Sequence, residues 1–437
     1  MPTATERPAR STPRSRLSRT FSDPVLRGLT TAVGFSSLGR GAFFSLTVIY
    51  FTTKVGLSAA EVALVLTAAN ALGLVASVAA GHLADHVSAR RMQVAFTLCQ
   101  GAALAAYALA SDFTSVLIMA SLVSISERSA NSARSAIIAR AFTGQARVSS
   151  RAILRTMTNV GIALGSSAAA VPLLLNTSDA FRVAIVTAGV FVLLSATQVA
   201  RLPRRVDAVP AQTNTAQPGA TPAGDEAEAA APSSSARSPY RDVRYLAVTA
   251  LTGIFAMQFV VAEVGIPQWI TQHTHLPTVL VSVLLVTNTL LVIGLQIPLS
   301  RGSDDVGKAG RLSLFSGVLM AAACGAYALG ATGPLWFGVV AMLIGLVAHT
   351  FAEILSSAAG WGLSFELADQ RRAGAYQGVF STGISLATML APAVVTFTAL
   401  SHGAAGWGVL AAIFLACAAA LWLIARRAAR ETPVVAG

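Results

Sequence analysis

Arg40, Glu127, Arg128, Arg134, Glu263 and Glu353 lie inside long apolar stretches of this chain. A charge at the centre of a lipid-facing helix costs on the order of 3 kcal/mol or more, so each of these side chains must face protein or a wet cavity. Such charges are kept only by helices that bundle together. Runs of roughly 18–25 apolar residues are long enough to cross about 30 Å of hydrocarbon. Twelve fit, over residues 27–53, 58–80, 92–111, 114–138, 153–175, 180–201, 244–270, 278–300, 311–330, 333–357, 373–397 and 402–426. The expected fold is an all-α integral membrane protein of twelve transmembrane helices, because a spanning segment must satisfy its own backbone hydrogen bonds.

Charged residues make up 11% of the 437 residues, against about 25% in soluble domains. The formal net charge of +12 points to a nucleic-acid partner only until the cations are placed. With both chain ends on one side, Arg40, Arg128 and Arg134 fall within spans, and only Lys54 and Arg182 fall on the opposite side. Every other Lys and Arg gathers with the ends, including Arg140, Arg147, Arg151 and Arg155. This is the positive-inside bias of a multi-pass protein with cytoplasmic termini. The basic charge therefore reports topology, and no nucleic-acid partner is expected. Cys99, Cys324 and Cys417 stand in separate spans without a CxxC or a suitably spaced His, so no metal site and no cofactor are expected. The preponderance of Arg over Lys suits a GC-rich bacterial source and hence a plasma membrane.

Residues 203–241 interrupt the hydrophobic pattern with a Pro-, Ala-, Ser- and Thr-rich tract that cannot bury a core. The resulting organisation is a disordered tail over 1–26, a six-helix half over 27–201, a linker over 202–243, a second half over 244–427 and a tail over 428–437. Six plus six helices around a long middle loop indicate duplicated halves. The connection between the second and third spans of each half repeats a pattern. The first copy places Gly81, Asp85, Ser88, Arg90 and Arg91; the second places Ser300, Asp304, Gly307 and Lys308 at matching steps. Glycine suits close backbone approach, and a carboxylate there accepts from a helix amino terminus or pairs with a cation.

At these residues the chain resembles the major facilitator superfamily, whose signature here is Gly-x-x-x-Asp-x-x-Gly-x-Arg/Lys-Arg/Lys. The resemblance implies two six-helix halves that alternate access to a central site. It also implies a conformational latch at Asp85 with Arg90 and Arg91, matched by Asp304, Gly307 and Lys308. The fourth span carries Arg128-Ser-Ala-Asn131-Ser132, similar to the Arg-x-x-Gln-Gly of the bacterial drug-efflux, proton-antiporting branch. In the fifth span Gly161 and Gly165 fit the small-residue packing motif of that branch, while Ser166 stands in place of its Pro.

At helical spacing Glu127, Asn131 and Arg134 share one stripe, with Arg128 and Ser132 on the next. A carboxylate beside a guanidinium in low dielectric can act as a proton switch, which makes Glu127 the first choice for the protonated group. Arg40, near mid-membrane, pairs either with Glu127 or with an anionic group on the substrate. Glu263 and Glu353 are the candidates in the second half. Arg40, Glu127, Arg128, Asn131, Arg134, Glu263 and Glu353 together form the expected central, proton-coupling set. Residues 361–366 and 376–378 flank the entrance to the eleventh span without an assigned purpose.

No Walker loop, GxSxG or HExxH occurs, so the chain is not expected to be an enzyme. The expected function is proton-driven export of a hydrophobic or amphipathic small molecule by a protein acting as a monomer in the bilayer. Proton-coupled uptake of a polar nutrient is the alternative, and a membrane receptor or scaffold is the alternative outside transport.

Overall fold

Polar residues start the helices and long apolar runs carry them. Ser58 and Asp112 form capping boxes with Glu61 and Ser115. Ser88, Thr177, Asp242 and Asp305 accept from backbone amides at four more helix starts. The computed structural model describes residues 23–207 and 238–431; the assignments for 1–22, most of the linker tract and 432–437 fall outside them.

Helices α1 (Pro24–Tyr50), α2 (Ala59–His86), α3 (Ala89–Ala106), α4 (Phe113–Ala141), α5 (Gln145–Ala168) and α6 (Ser178–Ala200) form one half. In the other, α7 begins as Val243–Ala256, passes a π-helical turn at Val261–Gly265 and ends as Ile266–His273. It is followed by α8 (Val279–Leu299), α9 (Val306–Leu329), α10 (Leu335–Glu366), α11 (Ala373–Val395) and α12 (Ser401–Glu431).

Among the described residues, nine helical stretches are long and apolar enough to cross a membrane. One of these, residues 370–431, contains both α11 and α12, with non-helical Gly403 (φ 58°) after their junction. Helices α1 and α4 bring the total to the expected twelve. Helix α4 crosses while carrying Glu127, Arg128 and Arg134 in its interior turns.

Two boundaries differ instructively from the hydropathy reading. Helix α2 runs to His86, so Gly81 and Asp85 are helical and the α2–α3 connection shrinks to Val87 and Ser88. The polar residues lower hydropathy without breaking the helix, because they face the other half. Helix α10 likewise continues through residues 361–366.

The halves meet where α2 and α4 pack on α11, and where α5 packs on α8 and α10. Asp23 pairs with Arg205, and Arg244 with Glu431, which places both described chain ends and both sides of the linker at one end of the bundle. This is the linker end. At the far end, Lys54 donates to the Asn176 carbonyl.

Candidate functional site

The closure of the linker end is built from two related dockings. Asp85 accepts from the backbone amides of Gly374 and Ala375 at 2.7 and 2.8 Å, seating its carboxylate on the first turn of α11. That is the electropositive end of a helix. Arg140 stands 3.5 Å from the same carboxylate. A Cβ on Gly81 would lie 2.9 Å from both the Gly374 carbonyl oxygen and the Gly378 Cα, so the glycine is required by the approach of α11.

In the counterpart docking, Gln145 on the first turn of α5 accepts from Gly302 N–H at 2.6 Å and donates to the Ser300 carbonyl. Asp304 lies beside Gly144, which precedes α5. Lys308 N–H donates to Asp305 at 2.6 Å, and Gly307 packs beside that carboxylate. Arg90 and Arg91 take no part across the halves among the described contacts. Arg90 holds Asp207 and the Leu202 carbonyl of its own half, and Arg91 N–H donates to Ser88.

Residues 361–366 and 376–378 complete this closure. The Tyr245 hydroxyl donates to the carbonyls of Ser364 and Tyr376, Gln377 donates to the Ser364 carbonyl, and Gly378 lies against Gly81.

At mid-depth the seven expected central residues separate into four places. Glu127, Asn131 and Arg134 share a face of α4, as their spacing predicts, but the face is directed into their own half. Arg40 from α1 pairs with Glu127, and Arg134 donates to Asn131 at 2.7 Å. Gln93, Thr97 and Gln100 of α3 close a polar pocket of about 20 Å³ around them. That volume holds about one water. Arg40 Nε and Gln93 Oε1 are buried there without partners.

Arg128, on the neighbouring stripe, instead crosses the interface, donating to the Ser385 hydroxyl of α11 and to Asn70 of α2. A polar cavity of about 210 Å³ opens beside these three residues. Glu263 is exposed on the π-helical turn of α7.

Glu353 is buried on α10. It pairs with Arg155 of α5, while its other oxygen accepts from Asn288 of α8 at 3.1 Å. Arg155 also donates to Ser357, and its guanidinium lies 4.7 Å over the Phe259 ring. Beside Arg155 is a cavity of about 190 Å³, bounded on its apolar side by Phe255, Phe259, Trp361, Phe380 and Leu421. Gln258 also lines it. Its Nε2 donates to Ser356, whose hydroxyl donates to the Glu353 carbonyl, and Gln258 Oε1 is left buried without a partner.

Arg147, Arg151 and Arg155, placed with the topology-setting cations by sequence, are all on α5 and turned toward the other half. Their spacing of four was the available signal. Asn288 and Gln258 carried no signal, because each is a single polar residue within an apolar run.

No curated protein sequence matches the chain. Several solved structures share its fold. The human organic anion transporter MFSD10 (TETRAN) aligns with a TM-score of 0.64 at 15% identity, covering 91% of this chain and 99% of that one. The proton:xylose symporter XylE bound to 6-bromo-6-deoxy-D-glucose gives 0.60 at 13% identity, over 93% and 96%. FucP, a transporter in the outward conformation, gives 0.64 at 12%, over 95% and 100%. The Major Facilitator Superfamily model matches residues 29–392. With two six-helix halves docked at the linker end and cavities at mid-depth, the chain belongs to the Major Facilitator Superfamily, and is a multi-pass membrane protein that moves a small molecule by alternating access.

Proposed function

We propose that this protein is a proton-driven exporter of a hydrophobic or amphipathic small molecule. The observation that carries this reading is the cavity beside Arg155, where Phe255, Phe259, Trp361, Phe380 and Leu421 form an apolar wall, the other polar lining is mostly hydroxyls, and Arg155 is the one charged residue of the lining. Such a lining holds an apolar body and orients one polar group; a sugar site uses several paired amides and acids. The cation bias supports a cytoplasmic linker end, so that this conformation is closed toward the cytoplasm.

Two carboxylates are the proposed proton carriers. Glu127 lies beside a water-sized polar pocket, and Glu353 lies in the interface itself. A pair that bridges the halves must break when they separate. Protonation of Glu353 weakens its hold on Arg155, which links proton binding to that separation. The pair between Arg40 and Glu127 lies within one half, and its coupling would act through the packing of α4.

The test is proton flux in proteoliposomes, screened with lipophilic cations, amphipathic acids, antibiotics, sugars and amino acids. Uptake of protons in exchange for an amphipathic compound is expected. Co-directional movement of protons with a polar nutrient would make the protein an importer and overturn the reading.

A further inference from the structure

Helix α5 presents Arg147, Arg151 and Arg155 at i, i+4 and i+8, three guanidiniums on one face rising about 6 Å per step. Each meets the opposite half. Arg147 donates to Gln370 and stands 3.5 Å from Glu366; Arg151 reaches Gln377 at 3.4 Å; Arg155 pairs with Glu353 and Ser357. The ladder runs from the linker end up to the cavity.

Its charge balance is unusual. The outer rungs have carboxylates and the middle rung has none among the described contacts. Arg151 donates to Ser135 and lies 5.4 Å over the Phe365 ring, with its Nε buried and unpartnered. The charge on α4 that acts on it is another cation, Arg134. A guanidinium kept at such depth without a carboxylate costs stability that Met or Leu would not. When the halves part at the linker end, Glu366 and Glu353 leave with α10, and three cations remain on α5 facing the opening. An anion in the opening would offset that charge, and the planar fork of Arg suits a carboxylate or sulfonate.

We propose that the transported amphiphile is an organic anion, and that Arg155, Arg151 and Arg147 are successive contacts for its anionic group between the cavity and the linker end. The inference rests on the transport reading above and names its substrate class. The apolar body occupies the aromatic wall beside Phe259 and Trp361, and an N–H or O–H on the ligand satisfies Gln258 Oε1.

The experiment uses the full chain in nanodiscs with a ring-matched, radiolabelled series: 2-naphthoate, 2-naphthamide and 2-naphthylmethylammonium. Wild type is expected to bind the carboxylate at least about tenfold more tightly than either relative, a difference of about 1.4 kcal/mol. Arg151→Gln should erase that preference, while Arg151→Lys should retain most of it. Thermal unfolding and gel filtration of both variants separate lost recognition from lost folding. If Arg151→Gln does not fold, Arg151→Met replaces it, with the same loss of preference expected and the same survival of preference overturning the proposal.

Preference for the ammonium, no detectable carboxylate binding to wild type, or a carboxylate preference that survives Arg151→Gln would overturn the proposal. Flux assays on the same series distinguish the two readings. Proton-linked movement of the ammonium or amide leaves the transport reading intact and removes this one. Carboxylate-selective flux without proton exchange removes the proton-driven reading and leaves this one intact.

Discussion

Arg40 and Glu127 illustrate how much a half-buried pair depends on both members. The pair lies on α1 and α4 within one half, in a pocket with room for about one water. Removing one charge strands the other with only partial access to water, at a cost of about 1–3 kcal/mol. Arg40→Met is therefore expected to lower unfolding stability in detergent by that amount, and Arg40→Met with Glu127→Leu to recover most of it. A double variant no more stable than the single would contradict this account. Glu127→Gln tests the separate matter of coupling: it should abolish proton-linked flux while leaving the protein folded. Retained coupling would transfer the role to Glu353, whose Gln variant should then abolish it.

At the scale of elements, the decisive contact is the one between α2 and α11. Gly374 sits where a Cβ would come within 2.6 Å of both Asp85 and the Gly81 carbonyl. Gly374→Val should prevent the linker end from closing, read as increased labelling of a cysteine placed at Gln377. Asp85→Ala removes two charge-assisted hydrogen bonds, each contributing about 1.5–3 kcal/mol, and should shift the same equilibrium toward the open form by at least about tenfold.

The identities of Gly81 and Asp85 were legible in the sequence, as was the shared face of Glu127, Asn131 and Arg134, because a helix repeats locally. The direction of that face was not legible. It depends on α3 supplying Gln93, Thr97 and Gln100, and no local pattern records which neighbour a helix will meet. Arg155 was hidden for the same reason, since its carboxylate is on α10 in the other half. The placement of cations by side grouped Arg155 with the topology-setting charges at the edge of the fifth span, although α5 had already begun at Gln145.

For the whole molecule, the two linker-end dockings predict a single mode of opening. The last turn of α2 holds the start of α11, and the α8–α9 connection holds the start of α5. Cysteines at Gln145 and Gly302, joined by a short bifunctional reagent in a variant lacking Cys99, Cys324 and Cys417, should stop transport and leave substrate binding from the far end intact. Continued transport by the joined protein would show that this contact does not separate during the cycle.

Above both dockings, Arg128 ties α4 to Ser385 of α11 at mid-depth. A bundle clasped at one end and pinned at its middle behaves as a rocker: the pin moves little while the ends swing. Its lever arms are close to equal, because Arg128 lies near the midpoint of α4. A modest displacement at the far end is then returned at nearly the same amplitude at the linker end, and shortening either arm would unbalance the stroke without touching the cargo.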